Sequence, residues 1–140
     1  PDPLFVVCPV CASINRVPAT RLDAAPICGR CKMPLFQRKP IDVDEAAFER
    51  HIGRGSLPAI VDFWASWAAR AFESAAAELE PHVRLLKVDT EAEQGLATRY
   101  GIRSIPTLVV FRDGRELARV AGAMDRQRLV GWARQNLAIA

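Results

Sequence analysis

Apolar residues fall in two rhythms along this chain, and the change between them lies near residue 40. Up to that point the apolar pieces are short, "LFVV", "INRVP" and "MPLF", and each is cut off by Pro or Gly. Beyond it they lengthen into strand-sized runs and amphipathic stripes. Ile41 to Val43 reads as a first strand, and Asp44 can cap a helix over Glu45 to Ile52 with acids in its first turn. Pro58-Ala59-Ile60-Val61-Asp62-Phe63-Trp64 is apolar on both faces except at Asp62, the pattern of a fully buried strand. Phe72, Ala75, Ala76 and Leu79 recur at helical spacing and predict a helix from Ala71 to Glu80, stopped by Pro81.

The second half continues the alternation. "VRLLKVD" is another buried strand, and Thr90 with Glu93 reads as a capping box for a helix ending at Gly101. "TLVVF" and "RELARV" flank Asp113-Gly114, a strong two-residue hairpin signal. A last amphipathic helix runs from about Asp125 to Leu137, with Leu129, Val130, Trp132, Ala133 and Leu137 mostly inward. The order βαβαβα followed by ββα predicts an α/β fold, a central mixed sheet with helices on both faces. Residues 37–140 are expected to form this unit and residues 1–36 a separate small module.

Composition changes the picture little. A chain of 140 residues, half apolar and a quarter charged, is an ordinary globular protein. No apolar run approaches a membrane span, and Pro1-Asp2-Pro3 lacks the basic start of a secretory signal, so the expected compartment is the cytoplasm. Charge is uneven: residues 1–40 carry six Lys/Arg and two Asp/Glu, residues 41–140 thirteen and fourteen. Four metal-bound thiolates with one Zn²⁺ would neutralise much of the basic excess, so nucleic-acid binding is not expected.

The cysteines change it a great deal. All four lie in the first 31 residues, spaced Cys8-x2-Cys11-x16-Cys28-x2-Cys31. Two such pairs fit a tetrahedral Cys₄ zinc site, closed and therefore structural. Pro9 stiffens the first turn and Gly29 lets the second pass under the metal. A segment this poor in apolar surface needs the metal for stability. The competing readings are two disulfides, disfavoured without a signal peptide, and a redox-active Cys28-Gly29-Arg30-Cys31. The latter normally opens a helix, whereas Pro34 follows closely here.

"VDFWASW" before a helix, "KVDTEAEQGLATRYGIRSIPT" and "FRDGRELARVAGA" together resemble the thioredoxin family. "CPVCASINRVP…CGRCKMPLF" resembles the zinc-bearing front of its thioredoxin-2 type. The resemblance covers nearly the whole chain and implies a thioredoxin fold, protein-disulfide reduction, protein substrates and thioredoxin reductase as a partner. It matches Asp62 to the buried acid that assists the second active-site cysteine, and Lys87 to its neighbour on the next strand. Ile105-Pro106 matches the cis-proline loop, Gly122-Ala123 the other edge of the substrate groove, and Trp67 the tryptophan before the catalytic Cys-Gly-Pro-Cys.

That last motif is absent. Counting forward from Trp67, Ala68 and Ala71 stand where the cysteines would be. Counting back from "AFESAAAELEP", about six residues are missing and "ASWAAR" is left as a connector, which helical and extended rise per residue allow. The helix is then expected to begin near Ala69 to Phe72. Thiol exchange needs an attacking and a resolving thiol, so this chain is expected to be a redox-inactive scaffold. The alternatives are a non-catalytic module holding peptides at Trp67, Ile105 and Pro106, or an adaptor acting through the zinc ribbon. The plainer readings are an ion pair between Asp62 and Lys87, a core role for Trp64, and solvated surface positions for His51 and His82.

Overall fold

The computed structural model describes residues 3–65 and 72–139. Its first element is a hairpin, β1 (Leu4–Val7) against β2 (Ile14–Val17), paired antiparallel with Val7 opposite Ile14. A single 3-10 turn over Ala19–Arg21 follows, and an isolated bridge joins Ile27 to Pro34. Val6, Val17, Leu22 and Leu35 form a small core with Cys8 and Cys28, and Leu57 of the larger unit packs against it. Few apolar side chains are available here, which is why the cysteines themselves are part of the core.

The larger unit is built on a five-stranded sheet. Its strands are β3 (Ile41–Asp42), β4 (Ala59–Trp64), β5 (Arg84–Asp89), β6 (Thr107–Arg112) and β7 (Arg115–Ala121), in the order β3-β5-β4-β6-β7. The pairs β3/β5 and β4/β5 are parallel, while β4/β6 and β6/β7 are antiparallel. The mixed sheet with helices on both faces is therefore present. Side chains alternate along each strand, so one face presents Ile60, Leu85, Leu108 and Val110 to α2 (Phe72–Leu79) and α4 (Arg126–Leu137). The other presents Val61, Phe63, Leu86, Val88, Val109 and Phe111 to α1 (Glu45–Arg54) and α3 (Gln94–Arg99). Phe48, Tyr100 and Phe111 meet edge to face there, with centroids 5.4 to 5.8 Å apart.

Local signals placed most ends correctly. The Asp44 carboxylate accepts the Ala47 N–H at 2.8 Å and caps α1, and Asp125 does the same for α4 through Arg128. Asp113 and Gly114 take φ values of 53° and 78°, as a tight hairpin turn requires. The expected capping box at Thr90 is not formed. Thr90 is tied to the end of β4, its N–H and hydroxyl both donating to the Trp64 carbonyl, at 2.9 and 3.1 Å. The Glu93 carboxylate instead accepts the Glu45 N–H at 2.8 Å, so α3 starts later, at Gln94. Sheet pairing has overridden the local motif. The expected start of α2 near Ala69 to Phe72 falls partly outside the described residues, as does the connector reading of "ASWAAR" after Ala65.

His51 is a second correction. Its expected solvent position holds for His82 but not for His51, which is only 4% exposed. The side of α1 that carries it faces the turn Cys8–Ala12 of the front module, and the Arg50 guanidinium donates to the Ala12 carbonyl at 2.8 Å. Burial, with the nearby Arg84 charge, lowers the imidazole from 6.5 to about 3. Below the unfolded value of about 6.5 the unfolded chain takes up a proton that the folded one refuses, so this stability is intact above 6.5 and is lost as pH falls toward 3. Between pH 7.5 and 5.5 the parent should lose about 1 kcal/mol more than His51→Leu, measured by urea unfolding. Equal losses would mean that the ring protonates in place.

Candidate functional site

Both Cys-x2-Cys pairs fold into the same turn. The Cys8 N–H donates to the Ser13 carbonyl at 2.9 Å and the Cys28 N–H to the Met33 carbonyl at 2.8 Å. The Ala12 and Lys32 N–H groups return to the Cys8 and Cys28 carbonyls, each at 3.0 Å. Ala12 and Lys32 both take the left-handed conformation, at φ 62° and 68°, which carries the chain past the sulfurs. The N–H groups of Val10 and Cys11 point at Cys8 Sγ, at 3.3 and 3.5 Å, and those of Arg30 and Cys31 at Cys28 Sγ, at 3.4 and 3.5 Å.

The four sulfurs lie within 4.8 Å of one another. Cys8 and Cys31 are 3.6 Å apart across the pairs and Cys11 and Cys28 are 3.7 Å apart. Those are the edges of a tetrahedron of about 2.3 Å metal–sulfur bonds, roughly 3.8 Å. They are far longer than a disulfide bond of about 2 Å, and all four thiols are free. The donor set thus fits a closed tetrahedral metal ion. Ser13 and Asn15 complete it: Cys11 Sγ donates to Ser13 Oγ at 3.2 Å, and Asn15 Nδ2 donates to Cys28 Sγ at 3.5 Å while its Oδ1 accepts the Gly29 N–H at 2.8 Å. Neither residue was singled out in the sequence, although their place just after a Cys pair is a usable signal. The thiols are unequal: burial pushes Cys8 up to about 11, the Ser13 hydroxyl lowers Cys11, and the Cys31 N–H foremost lowers Cys28 to about 6. A divalent cation would bring all four to thiolates.

The second candidate site lies at the end of the sheet. The Ile105-Pro106 bond is cis, and Gly122, at φ 100°, donates its N–H to the Pro106 carbonyl at 2.9 Å. Pro106, Gly122 and Ala123 are brought together around a shallow depression that Asp62, Phe72 and Met124 also line. Ile105 is half-buried beside them. Asp62 on β4 stands in register with Lys87 on β5, and both side chains are buried. The Lys87 ammonium lies 3.0 Å from Glu73 and 3.8 Å from Asp42, and 4.8 Å from the Trp64 ring centroid. A long side chain from a buried strand seeks carboxylates that keep contact with water. Glu73, in the first turn of α2, could not have been identified as its partner without the fold. Trp67, Ala68 and Ala71 lie outside the described residues.

Comparisons with known proteins agree on both halves. The family model described as Thioredoxin matches residues 39–135, and that described as Thioredoxin 2, N-terminal, matches residues 7–33. Thioredoxin C-3 of Corynebacterium nephridii is 36% identical over 139 residues, covering 96% of this chain and 96% of that protein. Thioredoxin 1 of Synechococcus elongatus is 35% identical over 101 residues, covering 68% of this chain and 94% of its own length. Since 68% of 140 residues is about 95, about six of those 101 aligned positions have no counterpart here. Among solved structures, the thioredoxin of Malassezia sympodialis superposes with a TM-score of 0.60 at 28% identity, covering 68% of this chain and 88% of that one.

Chelator-free protein should contain one zinc per chain by elemental analysis. Cys8→Ala should lower that content severely and loosen the ribbon core, while the larger unit keeps its far-ultraviolet signature. Full-length protein purified with no metal at all would overturn the metal reading.

Proposed function

Because the chain belongs to the thioredoxin family, we propose that it is a thioredoxin-2-like scaffold of the protein-disulfide oxidoreductases that no longer exchanges disulfides itself. One observation carries this reading. All four cysteines lie in the Sγ cluster of residues 8–31, and the strand-to-helix junction after Trp67 holds none. Exchange needs a thiolate to attack and a second thiol to resolve the mixed disulfide. Cys28 and Cys31 are the possible substitutes. The turn that holds them copies the turn of Cys8 and Cys11, and their sulfurs face Cys11 and Cys8 rather than a helix N-terminus. As zinc ligands they are not available for attack.

On this reading residues 1–36 are a ribbon closed by structural Zn²⁺ and residues 37–140 a thioredoxin-like domain. The junction, on this reading, has lost about six residues; a shortfall of that total size, at positions the coverage does not fix, in the alignment with the Synechococcus protein is what a deletion rather than simple replacement at Ala68 and Ala71 would produce. Four reduced thiols suit a reducing cytoplasm. Thioredoxins act on protein substrates and are reduced by thioredoxin reductase. Without a dithiol this chain would retain only the binding half of that role. The groove of Ile105, Pro106, Gly122 and Ala123, with Trp67 beside it in the family pattern, would hold an extended peptide. Asp62 and Lys87 are then remnants of the proton-handling pair.

Insulin reduction in dithiothreitol tests the reading. The parent should stay at background. Ala68→Cys with Ala71→Cys should give weak activity, because the missing helical turns would have supplied the free N–H groups and dipole that lower a cysteine pKa. Insertion of a six-residue segment carrying Cys-Gly-Pro-Cys should give clearly more. Activity in the zinc-loaded parent that vanishes in Cys31→Ala would overturn the proposal and place the chemistry in the ribbon. Equal rates for the two restored variants would favour substitution over deletion.

A further inference from the structure

The hairpin of the ribbon has two outer edges, and the fold uses only one. The Cys8 N–H bond to Ser13 fixes the alternation: Val6/Asn15 and Leu4/Val17 bond to each other, so the backbone groups of Phe5, Val7, Ile14 and Arg16 point outward. On the β1 side they are satisfied by the larger domain. Phe5 exchanges hydrogen bonds with Ser56, both at 2.8 Å, and the Val7 carbonyl accepts from the Arg84 guanidinium at 2.7 Å. On the β2 side the Arg16 N–H and carbonyl have no partner among the described residues. They open onto a groove lined by Asn15, Arg16, Val17, Arg21, Pro26 and Ile27. Three successive strand residues on one wall mean that the strand meets the groove with its hydrogen-bonding edge, since a strand face would contribute alternate residues.

We infer that this open edge of β2 is a docking site for an extended, acidic peptide segment of a partner protein, which adds to the hairpin as a third strand. Between Ile14 and Val17 the edge carries no bulge or proline, Pro18 coming only after the strand at the groove's end; such edges readily take another strand, which gains affinity from the main chain and selectivity from side-chain pockets. Charge selects the occupant. Arg16 and Arg21 are exposed at the groove and make no ion pair among the described residues. Asp23, the one acid among residues 3–36, turns instead toward His82, 3.8 Å away. Ile27, 58% exposed at the groove wall, offers an apolar contact for the side chains that alternate with the acidic ones. This site is separate from the cis-proline groove and involves no thiol chemistry.

The test is fluorescence anisotropy with the zinc-loaded full chain and a labelled eight-residue peptide alternating valine and glutamate. Micromolar binding is expected, weakened at least tenfold when every second peptide amide is N-methylated and abolished when lysine replaces glutamate. Arg16→Glu with Arg21→Glu should abolish binding of the acidic peptide and create binding of the lysine peptide. Arg16→Pro removes the outward N–H together with the guanidinium and is read against Arg16→Ala, which removes the guanidinium alone; edge strands tolerate the proline. The proline variant should bind at least tenfold more weakly than the alanine variant while zinc content stays at one per chain in both, and equal binding by the two would overturn the strand-addition mode. No binding to the parent, equal binding of the N-methylated peptide, or binding that survives the double charge reversal would each overturn the inference.

Discussion

Arg84 joins the two halves of the molecule. Its guanidinium, only 3% exposed, donates to the Val7 carbonyl just before the first zinc-type turn, pairs with Glu80 at 3.2 Å and stacks 4.5 Å from the Phe36 ring centroid. Glu80 in turn accepts the Arg38 N–H at 2.6 Å, so the charge from β5 fixes the hairpin, the end of α2 and the linker together. Burial pushes the Glu80 carboxyl up and depresses Arg84, in each case outweighing the partner's attraction. Such a pair adds little net stability, yet loss of one partner typically costs about 3–5 kcal/mol by stranding the other charge. Its contribution is geometric. It ties the ribbon to the domain in the placement in which His51 is buried and the β1 edge of the hairpin is satisfied.

The features legible in the sequence were those set within a few residues. The spacing of Cys8, Cys11, Cys28 and Cys31 led to a sulfur tetrahedron, Asp44 and Asp125 to helix caps, and Asp113-Gly114 to a hairpin turn. Uninterrupted apolar runs led to strands covered on both faces. Arg84, inside "VRLLKVD", was read only as part of a buried strand; its partners Glu80, Phe36 and the Val7 carbonyl needed the fold.

What escaped depends on contacts between segments far apart in sequence. His51 looks solvated on an isolated helix and is buried because residues 8–12 cover that side of α1. Thr90 had the right spacing for a capping box, but its N–H and hydroxyl are both used on the Trp64 carbonyl at the end of β4. The resemblance put Lys87 beside Asp62, and the register of β4 and β5 does set the two opposite each other; what needed the fold was that the length of lysine also brings its charge to Glu73 and Asp42.

Stability and chemistry are separable in this fold because they occupy different parts of one helix. The described part of α2 carries the whole apolar stripe Phe72, Ala75, Ala76 and Leu79, and each of these is at most 3% exposed against the sheet and α4. Burying a stripe of that kind contributes roughly 1.5–3 kcal/mol for each large side chain. The family's redox chemistry, by contrast, belongs to the turns before that stripe, where free N–H groups face solvent and a partner rather than the core. On the proposed reading, a chain without those turns would lack the means of activating a thiol there and would still keep the stripe that holds α2 on the sheet.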